Sequence, residues 1–529
     1  MSSEKSVKVT SVLNKTQVRA IVDDDARSDE QTLGALGYKQ EFKRDLTILE
    51  SFSISFSILG LLPSIASTLA YGLGYSGTGG LIWGWLIAGI MIQSVAFSMA
   101  ELCSAMPTAG GLYYAAAVLA PEGYGPACAW FVGWSNAIAF SVGPCSLNYA
   151  LATMITTAAT ISDPGYVAKQ SHVYLIYLAI LVLNGLIAMQ STKFIGRLNV
   201  VSTVWNILLV LVFLIWFPAG AVNSPKTNDT HETWTSFQNG TEWPIGWATI
   251  MGFLTAIYTM AGYDAPFHLA EECSNANIAS PRAIVLTSQS GLYLGWAVIL
   301  VIGYTVKDIT EVVAGPYGQP FGALCLQVLG KRSGLAMFSL TMIGQFFCGQ
   351  GVTIAASRVI FAYSRDGAII GSRYWSKIDS GTKTPVLATW GVLFISALFG
   401  LISFGGPVAI GAVFTLAGIG QYTAFVAPIA LKLFFGRKRF RPGPWHLGRL
   451  SMPLNAIAVA FWCVFTPALC WPAYKGSDLT LQTMNWTVLI YVGVMGLAMG
   501  HYLLSGRKWF KGPKINVAHL SSSSTHTSA

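Results

Sequence analysis

Apolar runs about as long as a bilayer crossing recur along the whole chain, separated by short polar connectors. A hydrocarbon core of about 30 Å takes roughly 20 residues of α-helix. On that measure the pattern predicts twelve spans: 47–71, 81–105, 126–157, 172–190, 195–219, 246–268, 284–305, 335–363, 386–404, 408–434, 453–472 and 485–504. The expected fold is therefore all-α and polytopic. Residues 1–45, polar and mixed in charge, read as a cytosolic, disordered amino-terminal tail. The core then runs over 46–435, in two five-helix sets, 47–219 and 246–434. Helices 11 and 12 lie in 436–504 and are peripheral. A Ser/Thr-rich cytosolic tail, 505–529, follows.

Composition supports lipid as the solvent. Hydrophobic residues make up 53% of the chain and charged residues 10%, against about 25% charged in soluble domains. The net charge of +9 is explained by basic loops on one face of a membrane. With both termini in the cytosol, the inner loops hold most Lys and Arg, led by Arg437-Lys438-Arg439 and Arg441. No basic patch interleaved with aromatics indicates a nucleic-acid partner. The sequons Asn228-Asp229-Thr230 and Asn239-Gly240-Thr241 fall in one loop that this topology puts outside, as glycosylation requires. Asn485-Trp486-Thr487 also faces out, but too near a span to be a good acceptor. The eight cysteines show no C-x-x-C spacing and read as small buried hydrophobes. No nucleophile–base pair, phosphate-binding loop or zinc spacing occurs, so neither an enzyme, a cofactor nor a metal is expected.

Glycine and proline interrupt two spans. The first contains Gly60-Leu61-Leu62-Pro63-Ser64-Ile65-Ala66-Ser67, and the sixth Ala261-Gly262-Tyr263-Asp264-Ala265-Pro266. Proline removes a backbone donor and glycine lowers the cost of unwinding. Spans one and six head two sets of five, and five is odd, so the sets run in opposite senses. Paired breaks at matching positions of inverted halves point to a transporter binding site. Half-helix ends there offer N–H groups to anions and C=O groups to cations.

Asp264 lies inside the second break. An ionisable group at mid-membrane costs at least about 2.5–3.5 kcal/mol, which a substrate ammonium group would offset; capping of the following half-helix is the alternative. His268, four residues on, shares a helical face with it and either relays a proton or bonds a neighbouring carbonyl. Glu101, Arg365, Asp366 and Arg282 are candidates for a cytosolic gate of ion pairs. The Pro107-to-Gly111 turn reads as a connector under the bundle. Tyr258, Tyr263, Phe253, Trp130, Phe131, Trp134 and Phe140 are candidate cavity walls. Asn148 reads as interhelical glue.

At these residues the chain resembles the amino acid–polyamine–organocation transporters, and within them the fungal GABA and amino-acid/choline permeases. The strings that carry the resemblance are Leu36-Gly37-Tyr38-Lys39-Gln40-Glu41, Ser57-Ile58-Leu59-Gly60-Leu61-Leu62-Pro63-Ser64-Ile65-Ala66-Ser67, Met99-Ala100-Glu101-Leu102 and Pro107-Thr108-Ala109-Gly110-Gly111-Leu112-Tyr113-Tyr114. Further strings are Glu271-Glu272, Ser280-Pro281-Arg282, Arg365-Asp366-Gly367 and Arg441-Pro442-Gly443-Pro444. The resemblance implies a leucine-transporter-like 5+5 inverted repeat with discontinuous helices 1 and 6. It implies a substrate carboxylate at the amides of residues 63–67 and an amine at residues 261–264. It also implies proton coupling. One departure concerns a lysine that some proton-coupled relatives carry within span five. Here Lys193 and Arg197 sit at the cytosolic start of that span, and nothing from 200 to 217 is basic. Thr353 and Ser357 lie near where relatives place a sodium site, although helical hydroxyls commonly bond their own backbone.

The expected function is import of GABA or another amino acid by proton symport and alternating access, at the plasma membrane or, alternatively, the vacuole. The expected partners are a small amine-bearing solute, a proton and the bilayer. Choline or polyamine transport on the same fold is the first rival, and a non-transporting nutrient receptor the second.

Overall fold

The computed structural model describes residues 29–163, 165–222 and 228–513. The predicted tail residues 1–28 and 514–529 lie outside the described residues. Among those described, ten helices are long and apolar enough to cross a membrane. One of them, Ile48–Ala105, holds both the first and second spans, joined where Gly77 takes φ 69°. The sixth span enters as the shorter Ile245–Thr259. Counted this way, the described residues carry the twelve crossings that the hydrophobic pattern predicts.

Several spans overrun their predicted borders. The third is a helix over Gly125–Ser162 with Pro144 inside it. The eighth lies in a helix over Pro320–Arg365 that bends where Gly330 takes φ 74°. The extension of the third span continues its helix, whereas that of the eighth is set off by the break at Gly330. Spans three and ten are the most buried, and span three packs against both span ten and span eight. Peripheral faces expose large apolar side chains such as Ile215, Phe394 and Leu497, the surface a lipid solvent requires. Asn184 donates to Asn148 across spans four and three at 2.7 Å, so Asn148 does join two helices.

The tail reading needs one correction. Residues 29–46 are ordered against one end of the bundle, beginning with a helical segment at 29–35. Leu33, Tyr38, Phe42 and Leu46 are buried there. Leu46 and Cys273 form a two-residue parallel bridge, in which Leu46 N–H donates to the Glu272 carbonyl at 3.0 Å and Ser274 N–H to the Leu46 carbonyl at 2.9 Å. The local composition is polar. The apolar anchors find their partners only once the bundle has assembled.

Candidate functional site

The first break is a single residue. The helix Ile48–Leu59 ends at Gly60, which sits in the left-handed region at φ 37°, and a new helix starts at Leu61. Pro63 falls within the first turn of that helix, where no donor is needed. The unwound stretch is thus shorter than the sequence reading had it. Ser64 N–H bonds the Gly60 carbonyl at 2.8 Å, and residues 65–67 are helical. Ser64 Oγ donates to the Leu59 carbonyl at 2.8 Å, tying the two halves across the break. Leu61 and Leu62, ahead of Pro63, open the second half-helix with first-turn N–H groups.

The second break is longer. The helix Leu254–Thr259 stops, Gly262 takes φ 87°, and a short helix resumes at Ala265. Ser55 of the first span donates to the Gly262 carbonyl at 3.2 Å, joining the two breaks. A Cβ on Gly262 would lie 2.3 Å from Ile58 Cγ2, and one on Gly60 would lie 1.7 Å from Cys348 Sγ. The breaks therefore need glycine twice over, for backbone and for space.

Between them lies a cavity of about 30 Å³, room for a water molecule or two. Ile58 and Ser64 line it from span one, Tyr258, Ala261 and Gly262 from span six, and Phe140, Gly143 and Ser146 from span three. Val352 and the stretch Ala417, Gly418 and Gln421 close it from spans eight and ten. Tyr258 Oη donates to Ser146 Oγ at 2.8 Å. Span ten was not foreseen. Its signals were present, in a glutamine and a small-residue run inside an apolar span.

Not every expected residue reaches this wall. Pro63 packs where a Cβ on Gly344 would meet it at 2.8 Å. Ile65 and Ala66 are buried in the bundle, and Ser67 Oγ donates to the Pro63 carbonyl at 2.9 Å. Tyr263 packs on Phe425 with the rings tilted and their centroids 5.4 Å apart. Asp264 is fully buried but directed at His268, whose Nε2 is 3.1 Å from Asp264 Oδ2, and its side chain makes no capping bond to the short helix it precedes. Phe140 and Tyr258 line the cavity as expected of them, whereas Trp130 packs on Tyr502 and Phe510, and Phe253 stacks on Phe465. Thr353 Oγ1 donates to the Gly349 carbonyl and Ser357 Oγ to the Ile354 carbonyl, both at 2.7 Å, so both hydroxyls serve their own helix.

The end of the bundle that residues 29–46 cover is sealed by charge, with partners other than those expected. Glu101 bonds Lys432 and Ser451 rather than Arg365. Arg365 instead grips Glu271 through two contacts of 2.9 Å and lies 4.3 Å from the Tyr38 ring centroid. Tyr38 and Tyr113 converge on Asp366 Oδ2 at 3.0 and 2.6 Å. Arg282 is exposed. Arg358, fully buried in span eight, pairs with Glu272 at 2.8 Å, and Thr192 donates to the same carboxylate at 2.8 Å. The Pro107-to-Gly111 connector joins in, as Ala109 N–H donates to Glu271 Oε1 at 2.9 Å. Burial works to raise the Glu271 carboxyl, but the Arg365 guanidinium and the Ala109 N–H outweigh it and hold the group below the usual carboxylate range. Burial, then the Asp366 carboxylate, push the Tyr38 phenol well up.

At the opposite end of the bundle a cavity of about 530 Å³ opens beside Tyr149, Thr153, Thr156, Tyr317 and Ile410. In the neighbouring loop, Asn228 Nδ2 donates to the carbonyls of Gly303 at 2.9 Å and Val306 at 2.7 Å. Asn239 is exposed in a local turn in which its Oδ1 accepts from Thr241 N–H at 2.9 Å. If either sequon carries glycan in a eukaryotic host, Asn239→Gln is expected to remove the gel shift and Asn228→Gln to leave it. The reverse result would mean that the Asn228 bonds form only after modification or not at all.

The amino acid permease family model matches residues 46–495. An uncharacterised amino-acid permease of Schizosaccharomyces pombe is 46% identical over 94% of this chain and 88% of its own length. A putative polyamine transporter of Candida albicans is 38% identical over 96% and 93%. The GABA-specific permease of Saccharomyces cerevisiae is 34% identical over 93% and 86%. A match of that extent, on a bundle with two broken helices around a central cavity, means that this chain belongs to the amino acid permease family of multi-pass membrane transporters and is not an enzyme.

Proposed function

We propose that the protein imports a small amine-bearing solute, GABA or another amino acid, by alternating access coupled to protons. The observation that carries this reading is the pair of breaks at Gly60 and Gly262 flanking one cavity. The half-helix starting at Leu61 presents N–H groups to a carboxylate, and the half-helix ending at Thr259 presents carbonyls to an ammonium group. A solute with both groups fits both ends. The cavity is smaller than such a solute, so binding requires the helices around it to separate, which is the rocking that alternating access uses. The sealed face with its ordered residues 29–46 is read as cytosolic and the larger cavity as an outer vestibule, with both termini inside and the plasma membrane as the site. An inside-negative potential contributes about 2.3 kcal/mol per charge per 100 mV, so one co-imported proton can drive accumulation.

The Candida albicans relative named for polyamines supports a second reading, a substrate with amines and no carboxylate. Uptake of radiolabelled GABA, alanine and putrescine into liposomes, with and without an inward proton gradient, separates them. GABA or alanine is expected to accumulate and to be displaced by the other. Accumulation of putrescine alone would replace the first reading with the second, and binding without accumulation of any of the three would indicate a receptor.

A further inference from the structure

We infer that the Asp264–His268 pair is the proton-carrying site of this transporter, standing behind the substrate cavity rather than in its wall. The inference rests on the symport reading and names the residues that would perform it. Asp264 and His268 are 0% and 2% exposed, and they form the one carboxylate–imidazole pair among the described residues. His268 Nε2 faces Asp264 Oδ2 at 3.1 Å, with Asn136 Nδ2 of span three 3.3 Å away. Asp264 Oδ1, His268 Nδ1 and Asn136 Oδ1 are all buried and have no hydrogen-bond partner. A hydrogen on Nε2 donated to Asp264 leaves Nδ1 with a bare lone pair. Buried polar atoms left unpaired are costly and call for an explanation.

The pair sits between the two places that must communicate. Toward the cavity, the ring of Phe140, which lines it, stands edge-on to the imidazole with centroids 5.5 Å apart and planes at 86°. Toward the cytosol, a Cβ on Gly111 of the connector would lie 3.4 Å from Nδ1. A solute that moves Phe140 therefore moves the imidazole's neighbour, and a connector that swings away exposes Nδ1 to cytosolic water.

The charged groups nearby are engaged elsewhere. In the turn after His268, Glu271 is held by Arg365 and Glu272 by Arg358, both from span eight. Tyr113, from the helix after the connector, bonds Asp366, which caps the end of span eight. Tyr422 of span ten and Tyr263 are the phenols close to Asp264, and Cys273 follows on the same segment. The first span brings no charged side chain into the site, its Glu50 being at the cytosolic cap. In one cycle a proton from the outer water, entering through the opened cavity once Phe140 has moved off the imidazole, adds to the Nδ1 lone pair and gives an imidazolium beside the carboxylate. The same proton leaves Nδ1 for the cytosolic water, and no other bond changes.

The test uses purified full-length protein in liposomes, with whichever of GABA, alanine and putrescine the unsubstituted protein exchanges. Solute exchange, gradient-driven accumulation and proton flux from a trapped pH dye are read on the same preparation. For His268→Gln and Asp264→Asn, accumulation and proton flux are expected to fall at least about tenfold relative to exchange, the order set by moving one charge through the membrane potential. The rise of uptake with falling outer pH is expected to flatten. Accumulation by the unsubstituted protein and by both variants alike, at equal exchange, overturns the assignment alone. Absence of gradient-driven accumulation by the unsubstituted protein overturns the symport reading and the assignment with it. Loss of exchange, accumulation and proton flux in equal proportion, in folded and monodisperse variants, overturns it in favour of a purely structural pair.

Discussion

Alanine at Gly262 is expected to abolish uptake while the protein still reaches the membrane. Two costs add at this position. The backbone stands at φ 87°, where a residue with a Cβ is disfavoured by about 1–2 kcal/mol. The added methyl would lie 2.3 Å from Ile58 Cγ2, and overpacking of that kind costs about 1–3 kcal/mol. Ile58 lines the cavity from the other broken helix and cannot retreat without closing it. The chain can escape by moving the break along the sixth span, which would also shift the carbonyls that face the solute. Gly60→Ala is expected to behave in the same way, and there the obstacle is Cys348 Sγ. The decisive measurement is initial uptake normalised to surface protein. Near-normal uptake by both variants would show that the breaks are ordinary kinks. Gly60→Ala combined with Cys348→Gly separates the two costs, since it removes the clash and leaves the backbone strain.

Truncating Glu271 is expected to destabilise the protein by about 3–5 kcal/mol, because a buried guanidinium loses its counter-ion. Arg365 makes two contacts of 2.9 Å to that carboxylate and is itself only 6% exposed. The double variant Glu271→Ala/Arg365→Ala should lose less than the sum of the single losses, since no lone charge is then left behind. Thermal unfolding in detergent measures both, and additive losses would mean that the pair is not a coupled unit. The pH dependence follows from the lowered Glu271 pKa. A depressed carboxyl contributes its stability fully above its unfolded value, near 4.3, and loses it as pH falls through the lower folded value. Mild acidification on that side should therefore leave this seal closed.

The membrane architecture was legible because a crossing needs about 20 apolar residues whatever surrounds it. The existence of both breaks was legible for the same local reason, since glycine and proline alter the helix at their own position. Their extent was not. Pro63 reads as a helix breaker in isolation, yet it sits in the first turn of a helix that starts at Leu61, where its missing donor costs nothing. Asp264 and His268 were legible as a pair because four residues make one helical face. Asn136 and Phe140, from another span, were not.

Side-chain partners far apart in the chain were decided by the assembled bundle alone. Glu101 meets Lys432 and Arg358 meets Glu272, and nothing near either residue announces its partner. Residues 29–45 looked unstructured for the same reason, because Leu33 and Tyr38 acquire neighbours only on the folded bundle. Sequence by itself determined the solvent, the number of crossings and where the helices must fail, since these depend on each segment's own hydropathy and backbone chemistry. Only the tertiary structure decided which buried charge faces which, and that Asp264 turns from the cavity toward His268. Such pairings depend on distances between helices that no single segment encodes.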